Sequence, residues 1–381
     1  CGQFGGFCRA QAAQQTIVVG VQQGISSLPP TSGQSYSWSY DPALDTYLRS
    51  SFLGPMSFRT PETVGKGRFS VRVATTYFEL SSTFDPITYE RQRPGSANSY
   101  VKLGTSVDAQ VGLFNIAVNY GIANDFEVTA NLPLVLVDAS ANNLFSARPG
   151  SADVASRATP EGLDAALHST GPDRLVIAHQ PFDHSDAGFR FNNGTHFGVG
   201  RIDVGVKGSV YSGHGLEVGP QVEFFCPSPS QDQFSGTDTE ALLGRLIGAY
   251  ALSEQAHLHL DLGYDYDFQL AELRRFVWNA GASYAFHGGV VDAGFGGSEF
   301  DRGIEWTPKF ATAVSTPGGN ADSTLRALGN TRLGTNYVDF LGGVKFEVAE
   351  NTVLGGTVTV PVTQDGLRPI AVGTIGLEYY F

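Results

Sequence analysis

Apolar residues recur at every second position along most of this chain. From 256 to 268, Leu258, Leu260, Leu262, Tyr264, Tyr266 and Phe268 fall on one side of an extended chain, with His257, His259, Asp261, Asp265 and Asp267 on the other. The last residues repeat the design: Ala371, Gly373, Ile375, Leu377, Tyr379 and Phe381 share one face, and Thr374, Gly376, Glu378 and Tyr380 the other. Between 336 and 349, Val338, Phe340, Val344, Phe346 and Val348 oppose Asp339, Lys345 and Glu347. Twelve segments alternate in this way, near 66–82, 108–121, 124–138, 197–212, 215–227, 239–253, 256–268, 275–287, 289–299, 336–349, 352–363 and 367–381. In lipid every backbone N–H and C=O must find a partner within the protein, so a strand with one oily face survives only in a closed cylinder. The pattern predicts an all-β, transmembrane antiparallel β-barrel of 12 strands, solvated by outer-membrane lipids in a bacterial outer membrane. A one-residue slip would move the charges into hydrocarbon, at about 2–4 kcal/mol for a basic side chain at mid-depth. Register is therefore strongly specified.

The connections alternate too. Short links follow the second, fourth, sixth, eighth and tenth segments, at Ile122-Ala123, Gly213-His214, Glu254-Gln255, Gly288 and Glu350-Asn351. Long ones follow the first, third, fifth and ninth, over 83–107, 139–196, 228–238 and 300–335. Outer-membrane barrels have short periplasmic turns and long extracellular loops, which predicts both termini on the periplasmic side. The barrel is expected to occupy 66–381 and a periplasmic extension 1–65.

Within that extension, residues 13–65 do not alternate. Two readings stand for them, a plug that enters the lumen or a tail outside it. Asp41 to Phe52 predicts one short helix, with Asp41 as N-cap and Pro42 at the first position. At the start, Cys1 is either the lipid-modified end of a lipoprotein with a tether behind it, or 1–12 is the remnant of a secretory signal ending in Ala10-Gln11-Ala12. Both readings require export.

Composition fits the barrel. Mean hydropathy is only −0.08, because polar lumen residues dilute the signal of each strand. A net charge of −13 excludes the basic footprint that nucleic acid needs. Cys1, Cys8 and Cys226 are too few for a disulfide framework and lack Cys-x-x-Cys metal spacing.

The charges that alternation turns inward are Arg72, Arg201, Lys207, Arg245 and Lys345 against Glu127, Asp203, Glu217, Glu223, Asp265, Asp267, Asp339, Glu347 and Glu378. Opposite charges across a barrel pair and stiffen its wall, and the acidic excess gives a polar track that favours cations. His257 and His259, about 7 Å apart on one face, continue into Asp261. Such a row offers metal ligands, although no third or fourth ligand from another strand is visible. Catalytic signatures are missing: no His-x-Ser-Asn-Gly run, no Gly-x-Ser-x-Gly elbow, no His-Glu-x-x-His helix and no phosphate-binding Gly-rich loop followed by Lys-Ser/Thr. His168-Ser169 and His184-Ser185 are chance neighbours in a long loop, and Asn193-Gly194-Thr195 is an accidental sequon. Gly67, Gly112, Gly205, Gly263 and Gly356 are read as places of curvature or close packing. The expectation is no enzyme and no cofactor.

Four stretches carry a family resemblance: FLGPMSFRTPETVGKGRFSVRVATTYFEL (52–80), VNYGIANDFEVTANLPLVLVD (118–138), HFGVGRIDVGVKGSVY (196–211) and HLHLDLGYDYDF (257–268). They resemble the outer-membrane family named for the MetA pathway of phenol degradation. The likeness covers about 52–381 and rests on turns and glycines; it departs at FFCPSPS (224–230) and in the long second loop. The resemblance implies an outer-membrane transporter. With a lumen between those of eight-stranded and sixteen-stranded barrels, the expectation is a channel for small, weakly polar or aromatic solutes. The alternative is a plugged structural barrel that anchors a partner protein of the envelope.

Overall fold

Twelve strands joined edge to edge close into a cylinder in the computed structural model. The structure describes residues 36, 38–41, 46–49, 52–92, 99–148, 176–181, 194–227, 239–269, 271–301, 305–306, 312–314, 323–327, 331–332, 336–363 and 368–381. The wall consists of β1 (Phe69–Gln92), β2 (Ser99–Ala123), β3 (Phe126–Arg148), β4 (Gly194–Val199, Asp203–Gly208 and Tyr211–Gly213), β5 (Leu216–Phe225), β6 (Ala241–Ala251), β7 (Ala256–Asp267), β8 (Arg275–Phe286), β9 (Gly289–Phe300), β10 (Asn336–Ala349), β11 (Thr352–Pro361) and β12 (Pro369–Tyr380). Each pairs antiparallel with the next, and β12 closes on β1 with Glu378 opposite Arg72 and Thr374 opposite Thr76. At the seam the Phe69 and Phe381 rings stack 4.2 Å apart, and the Phe381 N–H donates to the Phe69 carbonyl.

Alternation sorts the side chains. Leu258, Leu260, Leu262, Tyr264, Tyr266 and Phe268 are exposed on the outside of β7, while His259, Asp261, Asp265 and Asp267 are buried within. In β12, Ile375, Leu377, Tyr379 and Phe381 are exposed and Thr374, Glu378 and Tyr380 buried. No helix among the described residues is long and apolar enough to cross a membrane; the strands cross instead. A closed antiparallel cylinder with an oily belt satisfies every ladder group internally, and it places the chain in a bacterial outer membrane.

The structure departs from the sequence reading in three places. Residues 83–92, 99–107 and 139–148, expected as loop, extend β1, β2 and β3 to 24, 25 and 23 residues. Crossing the bilayer takes about 9–11 residues, so the surplus stands clear of lipid. Just short of it Tyr77 Oη donates to Glu79 and Ser81 Oγ to Asp108. Second, the continuous strand expected over 197–212 is broken. Pro133 on the neighbouring strand has no N–H for the ladder, and its carbonyl accepts instead from Gly200 N at 2.8 Å. Third, the helix expected over 41–52 is a two-stranded ribbon in which Trp38–Asp41 pairs with Thr46–Arg49. The aromatic and β-branched residues Trp38, Tyr40, Thr46 and Tyr47 favour extended strands. Cys1, the 1–12 segment and most of the 139–196 loop lie outside the described residues.

Candidate functional site in the lumen

The inward-pointing side chains and residues 52–68 meet inside the cylinder. Leu53, Met56, Phe58, Arg59, Thr60, Thr63 and Val64 are buried there. Polar ties fix the segment to strands around much of the ring. Met56 N and Ser57 N donate to the two carboxylate oxygens of Asp292 on β9, at 2.7 and 3.2 Å. Arg59 Nη1 donates to Gln221 Oε1 at 2.6 Å and Glu223 Oε1 at 2.9 Å on β5. Lys207 Nζ on β4 reaches the Thr60 carbonyl at 3.3 Å and pairs with Glu127 at 3.0 Å. Glu127 in turn accepts from Val64 N at 2.9 Å. A carboxylate that accepts from two successive N–H groups supplies the partners a ladder would give, which is why a strandless segment can be buried here.

Glycines on the wall make the room. A Cβ at Gly281 on β8 would lie 2.2 Å from Phe58 Cζ. One at Gly355 on β11 would lie 2.7 Å from Met56 Sδ, and one at Gly343 on β10 would lie 2.6 Å from Ser57 Oγ. The segment leaves the lumen through Gly65 and Gly67, at φ +80° and +76°, into β1. At the mouth formed by the short turns, Tyr36, Phe52, Leu53, Val64, Val290, Val353 and Tyr380 form an apolar cluster, and Tyr36 N donates to Tyr380 Oη at 2.9 Å.

Of the charges that the sequence turns inward, Arg72, Glu127, Asp203, Lys207, Glu223, Arg245, Asp261, Asp265, Asp267, Asp339, Lys345 and Glu378 are buried. Arg201, Glu217, His257 and Glu347 are half-buried. Most are joined in pairs: Arg245 with Asp261 at 2.8 Å, Arg275 with Asp265 at 3.3 Å, and Arg368 with Asp339. Asp267 accepts from Thr239 Oγ1, and Asp203 from Asn131 Nδ2. Arg201 lies over the Phe225 ring at 4.7 Å, and Glu217 accepts from Ser212.

The histidine row is assembled for packing. His257 stacks on Phe52 with centroids 4.0 Å apart, and His259 on Phe58 at 5.8 Å. Asp261, the third member, is taken by Arg245 and by Asn279 Nδ2 at 3.2 Å. Among the described residues no three His, Cys, Asp or Glu side chains are placed to hold a metal ion. His259 Nε2 contacts Ser283 Oγ at 2.7 Å, a pair that period-2 reading missed because the two lie on adjacent strands. Among the described residues His259 Nδ1 is buried with no hydrogen-bond partner.

Polarity also changes along the lumen. The inward faces of β1–β3 begin polar near the short turns, with Ser70, Arg72, Asn119, Glu127 and Asn131. They become apolar toward the far end, with Phe78, Leu80, Val111, Val135 and Val137, all buried. Between the segment and the opposite wall is a cavity of about 160 Å³ bordered by Phe52, Thr60, Ser212, Glu217, Ala249 and His257.

Asp292, Gln221, Arg275, Arg368 and the whole set from Met56 to Val64 were missed in sequence. Asp292 was within reach of that reading, since it shares the parity of Val290 and Gly294 in a segment already recognised as a strand.

Among solved structures the chain is similar to an outer membrane channel from Pseudomonas putida F1, at 12% identity and a TM-score of 0.43 over 82% of this chain and 95% of that one. It is also similar to the Pseudomonas putida toluene transporter TodX, at 10% and 0.37 over 93% and 96%, and to a Pseudomonas aeruginosa FadL homologue, at 8% and 0.34 over 82% and 89%. No protein-family model matches the chain, and no curated protein matches it.

Proposed function

We propose that the chain is an outer-membrane channel for small, weakly polar or aromatic solutes, in which residues 52–68 act as a plug at the periplasmic mouth. The observation that carries this reading is the chain segment inside a closed, lipid-facing cylinder, held by Asp292, Glu127, Gln221 and Glu223. A barrel built only to fill a membrane has no need of a lumen segment seated in wall glycines. The change from polar to apolar along β1–β3 supports solutes with little charge, and the resemblance to the phenol-degradation family supports an aromatic class. In this reading residues 1–65 form a periplasmic extension and 66–381 the barrel.

The test is electrical and osmotic. Purified protein in planar bilayers is expected to give discrete conductance steps, and liposomes carrying it are expected to take up phenol-sized solutes faster than empty ones. A protein silent in both assays argues instead for the anchoring barrel. That second reading draws on the number of ties holding the segment, and it predicts co-purification of one envelope protein in fixed stoichiometry.

A further inference from the structure

The lumen segment is not centred. Met56, Ser57 and Phe58 lean on β8–β11, where Gly281, Gly294, Gly343 and Gly355 admit them. The 160 Å³ cavity lies on the other side, against β4–β7, where small Ala249 and Ala251 face inward. Beyond it the Thr60 carbonyl is tied to Lys207 on β4. Arg59 reaches across to Gln221 and Glu223, which lie four and six residues further along β5 than Glu217, about 13 and 20 Å. Phe58 against His259 completes that ceiling. The titratable lining of the cavity is two carboxyls, Glu62 and Glu217, and two imidazoles, His257 and His259, with no Lys or Arg in it.

We infer that solutes pass beside the segment, between it and β4–β7, with Arg59 as the gate and the cavity as an exit vestibule that prefers cations and neutral hydrogen-bonding molecules to anions. Opening then requires the Arg59 guanidinium to swing off Gln221 and Glu223 and the Lys207 ammonium off the Thr60 carbonyl, while residues 56–58 stay on their glycine seats. The inference rests on the channel reading and adds a route and a charge preference to it.

A covalent lock separates the two. Ser57→Cys with Gly343→Cys, in a chain whose three native cysteines are replaced by Ser, brings sulfur-bearing Cβ atoms within bridging range, and oxidation pins the segment to β10. Conductance in bilayers is then compared between oxidised and reduced forms. Equal conductance supports the side route. A silent oxidised form beside a conducting reduced form overturns it and leaves the channel reading standing, because the segment must then leave its seat. Silence in both, with a conducting parent, is settled by Ala249→Trp in the native chain: a fall of at least about five-fold supports the vestibule, and unchanged conductance overturns it. A native chain that never conducts removes the channel reading and this inference with it. In the conducting native chain, Glu217→Gln is expected to lower the K⁺/Cl⁻ permeability ratio about two-fold; an unchanged ratio overturns the charge preference.

Discussion

Phe58 lies almost parallel to His259, with an interplanar angle of 5° and centroids 5.8 Å apart, and its ring fills the hollow where Gly281 lacks a side chain. One aromatic residue from outside the wall is thus held by two wall residues on neighbouring strands. Fully burying such a side chain contributes about 1.5–3 kcal/mol. Losing the hollow should therefore cost the segment its seat.

Gly281→Leu is expected to expel the segment, and because its Cβ would also lie 2.7 Å from the Ala293 carbonyl on β9, the ladder must yield slightly there. Limited proteolysis should then cut within 52–64, which the parent resists, and bilayer conductance should rise. Adding Phe58→Ala vacates the hollow and should restore part of the protection. A Gly281→Leu protein as resistant as the parent would show that the ring does not hold the segment.

Asp292 serves two backbone donors, and each buried donor left unpaired costs about 1–3 kcal/mol. Asp292→Ala should therefore speed amide exchange at Met56 and Ser57 by one to several orders of magnitude. Asp292→Asn, which keeps one acceptor oxygen, should fall between. Hydrogen exchange read by mass spectrometry on the 52–64 peptide is the measurement.

Removing one member of a buried ion pair is more harmful than removing both. Arg245→Ala strands Asp261 with only the Asn279 amide and should destabilise the barrel by about 3–5 kcal/mol. Arg245→Met combined with Asp261→Leu should recover more than half of that loss. Urea unfolding in lipid vesicles, arranged as a double-mutant cycle, gives the coupling.

The outer face makes an opposite demand. Leu260→Arg places a guanidinium toward lipid near mid-depth and should cost about 2–4 kcal/mol, whereas Leu260→Phe should stay within about 0.5 kcal/mol. Equal unfolding midpoints for the two would mean that this face does not meet hydrocarbon.

The wall was readable because a half-oily strand has no freedom of phase. Leu258 and Asp261 cannot exchange sides, and that single constraint locates the strands, their register and the inward charges. Where lipid no longer imposes the rule, alternation gives no guide: residues 83–92, 99–107 and 139–148 continue the strands although their sequence reads as loop. A lumen plug is one of two readings of 13–65, but where the segment is seated stays hidden for a related reason. Its partners, Asp292 and Glu223, stand 236 and 164 residues away, and nothing periodic in 52–64 announces them. Glycines at 281, 343 and 355 were visible, but a missing Cβ means close approach only when one knows what approaches.

The tie between Tyr36 and Tyr380 spans 344 residues, and the segment behind it touches β3 to β11. The segment ahead of the wall therefore has no complete surface to settle on until the ring closes. It docks only after the final strand has paired with the first. Newly inserted molecules would consequently pass through an unplugged interval, in which the envelope is briefly leaky at each one.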